Sequence, residues 1–162
     1  MKLSVNLNKI ALIRNSRGND DPSLIDYVKK CIDLGVDGIT LHPRPDHRHA
    51  TSVDAINISK ICKDHNIEFN LEGNPFSLPD GDFMGFHELC VRSLPSQVTL
   101  VPDDILQITS DHGWQPGYRD AELKDFISSL KEHHLRTSLF IDANSDSVEY
   151  AKQMGFDRIE IY

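Results

Sequence analysis

The chain has 162 residues, of which 39% are hydrophobic and 26% charged, and this composition is typical of a globular domain rather than a disordered segment. No run of about 18 apolar residues occurs, and the N-terminus becomes polar too soon for a signal peptide, so we predict neither a membrane span nor export. The 25 acidic and 17 basic side chains give a net charge of −8, which argues against non-specific binding to nucleic acid or to an anionic membrane. We therefore expect one cytoplasmic domain, residues 1–162, with anionic small molecules as possible ligands where arginines cluster.

The cysteine pattern agrees with a reduced compartment. Cys31, Cys62 and Cys90 are odd in number, widely spaced and form no C-x-x-C pair. The pattern indicates neither a disulfide framework nor a zinc knuckle, so we expect three small buried side chains with free thiols.

Short β-type runs alternate with amphipathic stretches along the chain. We predict six strands, near residues 3–7, 37–42, 67–72, 97–101, 136–142 and 157–162. Five helices are predicted between them, near residues 22–34, 52–65, 83–93, 119–133 and 146–154. Because connections of this length join parallel neighbours through right-handed crossovers, the alternation predicts a parallel sheet.

Each predicted strand has one apolar and one polar face. In the third strand Phe69 and Leu71 alternate with Asn70 and Glu72, and the other strands divide in the same way. A sheet covered by helices on both sides would bury such polar groups at a cost of a few kcal/mol each when unpaired. A closed barrel places them in its interior, with a ligand at the carboxyl ends of the strands.

We therefore predict a (β/α)8 TIM-type barrel, of which this chain supplies about five βα units and a sixth strand. An antiparallel sheet with one solvated face is the alternative that the alternation by itself allows. In the barrel, five strand-end residues are expected to face the ligand: Asn6, His42, Glu72, Asp142 and Glu160.

The densest group of functional residue types is the run 42–49 (HPRPDHRH), which begins at a strand end. Arg44 and Arg48 offer charge-assisted donors to a phosphate, and the histidines can pair with it or move protons near neutral pH. A metal site on His42, His47 and His49 is the rival, although the spacing matches no common zinc pattern. A solvated basic loop is the structural alternative.

Further candidates lie at or beyond the other strand ends. Glu72 is the best general base, because burial in a barrel raises the pKa of a carboxyl group towards the working pH, although a structural ion pair would also explain it. Glu160 supports the same polar interior, and its alternative role is as the ion-pair partner of Arg158 or of a distant loop. Thr109 in the long loop after the fourth strand can bind a phosphate or serve a turn. The run 14–18 (RNSRG) adds two cations beside a glycine after the first strand.

Seven blocks of the sequence resemble one known family. In chain order they are residues 4–11 (SVNLNKIA), 14–18 (RNSRG), 37–49 (DGITLHPRPDHRH), 69–73 (FNLEG), 97–103 (QVTLVPD), 138–142 (SLFID) and 158–161 (RIEI). Together they span essentially the whole chain and resemble the pyridoxine 5'-phosphate synthases of the deoxyxylulose-dependent vitamin B6 pathway. The family's Asp-His pair after the first strand is replaced here by Asn8-Lys9.

The resemblance implies an enzyme of eight barrel units, assembled as an octamer. It implies the condensation of 3-amino-2-oxopropyl phosphate with 1-deoxy-D-xylulose 5-phosphate, which releases inorganic phosphate and water as the pyridine ring closes. Asn6 and Arg17 would hold the aminoketone phosphate. The pentulose phosphate would be held by a larger set, namely Asn8, Lys9, Arg44, His49 and Thr109.

By the same resemblance, His42 and Glu72 match the family's proton-transfer residues, and Glu160 matches a carboxylate that stabilises a transition state. The condensation is a series of proton transfers around one carbon skeleton, so it requires no metal or redox cofactor.

Two alternatives to this enzyme stay open. Barrels of this type take about 250 residues, so we expect the chain to be the N-terminal portion of a synthase, weakly active or inactive when isolated. The first alternative is a non-catalytic module that only binds a phosphorylated ligand. A metal-dependent hydrolase built on His42, His47 and His49 is the second and is less favoured.

Overall fold

A computed structural model describes residues 1–104 and 106–162, and within them six strands form one parallel sheet in chain order. The strands are β1 (Ser4–Asn6), β2 (Gly38–Leu41), β3 (Glu68–Gly73), β4 (Gln97–Leu100), β5 (Arg136–Ile141) and β6 (Arg158–Ile161). The helices are α1 (Asn8–Arg17), α2 (Leu24–Asp33), α3 (Ser52–Asp64), α4 (Phe86–Ser93), α5 (Asp120–Glu132) and α6 (Ser145–Met154). Every neighbouring pair of strands is parallel, so the predicted topology is confirmed and the antiparallel alternative is wrong.

The sheet is curled into half of a barrel. Asn6 on β1 and Glu160 on β6 belong to strands at opposite edges of the sheet, yet both line the same two cavities. A flat sheet would hold these side chains several strand spacings apart. The curl confirms the predicted β/α-barrel type of fold.

The concave face of the sheet carries the polar side chains, as predicted. Asn70 Oδ1 accepts hydrogen bonds from Thr99 Oγ1 at 3.0 Å and Gln97 Nε2 at 3.2 Å, while its Nδ2 approaches Thr40 Oγ1 at 3.4 Å. These bonds link three neighbouring strands, β2, β3 and β4, and satisfy groups that would otherwise be costly to bury. Phe140 on β5 departs from the pattern, because it is an apolar residue on the concave face.

The apolar core lies on the convex face, between the sheet and the helices. Its strand residues include Ile39, Leu41, Phe69, Leu71, Val98, Leu100, Leu139 and Ile141. Gly73 ends β3 against Phe86 of α4, and a Cβ at this position would lie 2.4 Å from the Phe86 ring. This close contact fixes the end of β3 directly after Glu72. Among the described residues, no helix is long and apolar enough to cross a bilayer.

Helix α1 was not predicted. Its buried residues, Asn8, Ala11 and Arg14, recur at helical spacing, but two of the three are polar, so the hydrophobic periodicity is hidden. Arg14 is buried because its guanidinium donates two hydrogen bonds to the Asp54 carboxylate, both at 2.8 Å. Burial opposes ionisation of Asp54, but the hydrogen bonds from Arg14 and Thr51 and the charge of Arg14 together outweigh it, so the pKa of this carboxyl is lowered. Arg14 thus joins α1 to the first turn of α3.

Candidate active site

A cavity of about 300 Å³ opens at the carboxyl ends of the strands. We call it the mouth cavity, and it is lined by Asn6, Asn8, Lys9, His42, Arg44, His49, Glu72, Val101, Thr109, Ser110, Phe140 and Glu160. This set includes nine of the ten residues that the family resemblance assigns to the site. They come from β1, the start of α1, the β2–α3 loop, β3, the β4–α5 loop and β6, so only the fold brings them together.

Two residues expected near the ligand lie elsewhere. Arg17 is exposed in the last turn of α1 and is not among the residues that line the mouth cavity. Asp142 follows β5, but its Oδ1 accepts a hydrogen bond from Gly113 N at 2.9 Å and so holds the β4–α5 loop. A Cβ at Gly113 would lie 2.1 Å from Asp142 N, so only glycine permits this close approach.

His42 lies at the centre of the mouth cavity and is held from its backbone. Its amide N donates to Asn8 Oδ1 at 2.7 Å, and Asn6 Oδ1 in turn accepts from Asn8 N at 2.9 Å. The buried His42 ring points Nδ1 towards Glu72 Oε2, at 3.9 Å. The two asparagines thus fix the position of a ring that faces a carboxyl group.

Two carboxyl groups of the mouth cavity have raised pKa values. Burial is the main cause for Glu72, and the negative charges of Glu160 and Asp103 add to it. Burial also raises the pKa of Glu160, against the opposing effects of a Thr99 hydrogen bond and of His42. A carboxyl group with a raised pKa can both hold and release a proton closer to neutral pH, which is what general acid–base catalysis needs.

The guanidinium of Arg44 is buried beneath the β4–α5 loop, with a relative exposure of 2%. Nη2 donates to the carbonyls of Asp104 at 2.6 Å and Gln107 at 3.2 Å, Nη1 contacts Asp103 Oδ2, and Nε lies 3.3 Å from Asp46 Oδ2. Four protein acceptors therefore surround a residue expected to bind a phosphate. Arg44 holds in place the loop that carries Thr109, and it brings a positive charge to the cavity wall.

His49 is held in a neutral state. Burial is the largest cause and the neighbouring side chains of His42, Arg44 and Arg48 add to it, so that the pKa of His49 falls to about 4. Its Nδ1 is buried and has no hydrogen-bond partner among the described residues. The backbone at this position is fixed by Asn15 Nδ2, which donates to the His49 carbonyl at 2.7 Å.

The predicted metal alternative is not supported by the positions of its three histidines. His42 and His49 face the mouth cavity with ring centroids 6.1 Å apart, whereas His47 lines a separate cleft beside α1 and α3. Within residues 1–104 and 106–162, no group of three or more His, Cys, Asp or Glu residues is arranged to hold a metal ion.

Asp103 and Phe140 have no role in the predictions made from the sequence. Asp103 is 5% exposed in its side chain, and its Oδ2 lies 3.3 Å from His42 Nε2. Its position after the fourth predicted strand, inside the block 97–103, is the signal that could have identified it. Phe140 forms an apolar part of the cavity wall and packs against Tyr162 with ring centroids 5.7 Å apart.

Comparison with solved structures shows a similar fold at low sequence identity. Thiamine phosphate pyrophosphorylase from Pyrococcus furiosus matches with a TM-score of 0.58 and 10% identity, over 99% of this chain and 59% of that one. The PaMucR phosphodiesterase, in its c-di-GMP complex, matches with a TM-score of 0.60 and 11% identity, over 96% and 62%. These similarities concern the fold alone.

Curated sequences give a more specific match. Pyridoxine 5'-phosphate synthase from Xanthomonas axonopodis pv. citri is 47% identical over 161 residues, which is 99% of this chain and 63% of the relative. The enzyme of the same name from Xylella fastidiosa is also 47% identical over 161 residues, 62% of its length. The chain therefore spans slightly less than two thirds of these relatives. The family model described as "Pyridoxal phosphate biosynthesis protein PdxJ" matches residues 3–162, and the chain belongs to this family.

Proposed function

We propose that the protein containing this chain is a pyridoxine 5'-phosphate synthase. It would condense 3-amino-2-oxopropyl phosphate with 1-deoxy-D-xylulose 5-phosphate to pyridoxine 5'-phosphate, inorganic phosphate and water. The observation that carries the proposal is that nine residues matched to the family's site line one cavity, in a chain that matches the family model from residue 3 to residue 162.

The two phosphates would be held on different sides of the mouth cavity. Asn6 and Arg17 are proposed for the aminoketone phosphate, with Arg17 supported by the resemblance alone. On the other side, the pentulose phosphate would contact Arg44, His49 and Thr109, with Asn8 and Lys9 beside them. Arg44 would act in two ways: its charge attracts the phosphate, and its bonds to the loop carbonyls keep Thr109 over the cavity.

The proton transfers would be carried by His42 and Glu72. Formation of the carbon–nitrogen bond expels water, and enolisation and loss of phosphate each move a proton on the joined carbon skeleton. The raised pKa of Glu72 lets this group give and take a proton near neutral pH. Glu160, across the cavity, would stabilise positive charge that develops on the nitrogen.

We also propose that the protein works as a homo-oligomer in the cytoplasm, an octamer as in the family. The net charge of −8 supports a protein without nucleic acid or membrane partners. Light scattering of the purified protein measures its assembly state directly.

The proposal is tested by incubating the intact protein with both phosphorylated substrates. We expect pyridoxine 5'-phosphate and inorganic phosphate to form in equal amounts. Chromatography measures the first product and a phosphate assay measures the second. Replacing His42 with Asn should lower kcat by about 10²-fold or more, as for loss of a general acid–base group. The matched control is His87→Asn, because His87 is exposed on α4, does not line the mouth cavity, and has its Nε2 2.7 Å from Ser129 Oγ.

Calorimetry with 1-deoxy-D-xylulose 5-phosphate separates the enzyme from the binding module. Binding by the intact protein without any product would overturn the synthase and favour the module. A synthase binds the ligand and also turns it over.

A further inference from the structure

The carboxylate of Asp103 connects two residues of the proposed site. Its Oδ2 lies 3.3 Å from His42 Nε2 and also contacts Arg44 Nη1. The backbone of the same residue is fixed, because its carbonyl accepts a hydrogen bond from Asn74 Nδ2 at 2.7 Å. With a side-chain exposure of only 5%, Asp103 is a buried and well-held acceptor next to the histidine.

The two nitrogens of the His42 ring face different carboxyl groups. Nε2 points to Asp103 Oδ2, while Nδ1 is 3.9 Å from Glu72 Oε2. A neutral imidazole carries one proton, and its nitrogens are then one donor and one acceptor. Asp103 Oδ2 already accepts from Arg44 Nη1, so a proton on His42 Nε2 would face an acceptor oxygen, whereas a lone pair there would face another lone pair.

Glu72 favours the same arrangement. Burial and two neighbouring negative charges raise the pKa of its carboxyl group, so this group keeps its proton to higher pH and presents a donor, rather than a negative charge, 3.9 Å from the ring. The nitrogen on that side is Nδ1, which is the acceptor when the ring proton is on Nε2. Both neighbours of His42 therefore select one tautomer.

We propose that Asp103 is a positioning residue for His42: it keeps the ring proton on Nε2 and leaves Nδ1 as the atom that exchanges a proton with Glu72 or the substrate. Because the same oxygen contacts Arg44, Asp103 also fixes the position of the proposed phosphate-binding arginine relative to the proton-transfer histidine. The part of this proposal that concerns turnover rests on the proposed synthase function. The part that concerns the tautomer does not.

The test uses the intact protein with Asp103 replaced by Leu, Asn or Glu. Long-range ¹H–¹⁵N spectra of the imidazole rings distinguish a protonated from an unprotonated ring nitrogen, and His42 is assigned from the His42→Asn variant. We expect Nε2 to be protonated in the wild type and the preference to be lost in Asp103→Leu. In the same variant kcat should fall at least about tenfold, as for removal of a group that orients a catalytic histidine.

Three controls keep the proposal falsifiable. Asp125→Asn changes an exposed acid on α5 that does not line the mouth cavity, and it should leave both the tautomer and kcat unchanged. Asp103→Glu restores the carboxylate. It should recover most of the preference for the Nε2-protonated tautomer and more than half of the decrease in log kcat seen in Asp103→Leu. If Asp103→Leu does not fold, Asp103→Asn replaces it, since an amide of the same size can serve either tautomer and should weaken the preference.

An unchanged tautomer in both Asp103→Leu and Asp103→Asn would overturn the proposal. So would a changed tautomer with unchanged kcat, since Asp103 would then position a ring that has no part in the rate. If the wild type makes no pyridoxine 5'-phosphate, the proposed function fails, and the spectra still decide whether Asp103 controls His42.

Discussion

The two ends of the barrel interior are built by the same strands but differ in how their charges are matched. At the amino-terminal end, β3 supplies Glu68 and β6 supplies Arg158, with 3.7 Å between Arg158 Nη1 and Glu68 Oε1. Arg136 of β5 also pairs with Glu68, and Gln97 Oε1 accepts from Arg136 Nε at 3.0 Å and from Arg158 Nη1 at 3.4 Å. We call these four residues the floor cluster, in which the acidic side chain lies against two cations.

At the carboxyl end, β3 and β6 bring two acids together instead. Glu72 and Glu160 both line the mouth cavity, and among the described ion pairs neither is matched with Lys or Arg. Burial and mutual repulsion raise the pKa of Glu72, and burial raises that of Glu160. The matched charges of the floor cluster stabilise the sheet at its amino-terminal end. The unmatched carboxyl groups of the mouth cavity destabilise the fold, but they are the groups that can exchange protons.

The largest expected effect concerns activity. Glu72→Gln keeps the shape of the side chain but cannot transfer a proton, so kcat of the intact protein should fall by about 10²-fold or more. Glu68→Gln is the matched change in the floor cluster and should keep kcat within roughly threefold, because it lies away from the reacting groups. Steady-state formation of pyridoxine 5'-phosphate measures both. Equal losses in the two variants would remove the functional distinction between the two ends.

The second effect concerns stability, and its sign differs between the two ends. Glu68→Gln removes the acceptor of two arginines and should lower the free energy of unfolding by about 1 kcal/mol, the upper range for a partly exposed ion pair. Glu72→Gln should instead raise stability at neutral pH, because the neutral amide avoids burying a charge beside other acids. Thermal unfolding followed by circular dichroism should show shifts of opposite sign, each of roughly 2–4 °C.

The pH dependence of this gain follows from the raised pKa of Glu72. Below about pH 3, more than one unit under the ordinary glutamate pKa of about 4.3, the carboxyl is protonated in both the folded and the unfolded chain, so Glu72→Gln gains nothing there. As the pH rises, the unfolded chain loses this proton first, and the wild type loses stability until the pH has passed the folded pKa. The difference between Glu72→Gln and wild type should therefore grow from acid to neutral pH. A gain that is constant with pH would mean that ionisation of Glu72 is not its cause.

The same contrast explains which features could be predicted from the sequence. Strand alternation identified the polar interior because period-two patterns survive in each strand, as in Phe69 and Leu71 against Asn70 and Glu72. Helix α1 was missed because the buried Arg14 stands where an apolar residue would mark the inward face, and only its distant partner Asp54 explains its burial.

The site was predicted where strand ends and a known family pattern coincide, as for His42, Glu72 and Glu160. Local sequence could not reveal that Asp103 reaches His42, since 61 positions separate them and the contact depends on the curl of the sheet. It also could not show that the donors of Arg44 are directed to the carbonyls of the β4–α5 loop.

The smallest effect concerns the side of the mouth cavity that carries Arg44. There the buried Nδ1 of His49 has no hydrogen-bond partner among the described residues. Burial and the neighbouring side chains of His42, Arg44 and Arg48 lower the pKa of His49 to about 4, so the free protein holds it neutral at pH 7. A phosphate dianion bound beside it would favour the charged imidazolium and raise this pKa, so that binding takes up a fraction of a proton. Calorimetry of 1-deoxy-D-xylulose 5-phosphate binding at pH 7.5, in two buffers of different ionisation enthalpy, measures the uptake. At this pH the phosphate ester has already lost its second proton, whose pKa is about 6, so its own contribution is small.

His49→Asn should abolish the uptake and weaken binding only modestly, since Arg44 and the loop remain. Glu68→Gln, in the floor cluster, should leave the uptake unchanged. If His49→Asn takes up as much proton as the wild type, the titrating group lies elsewhere and His49 does not contact the phosphate. If uptake is lost in both variants, the two ends of the interior are electrostatically coupled, and the separation between a matched floor cluster and an unmatched mouth cavity no longer holds.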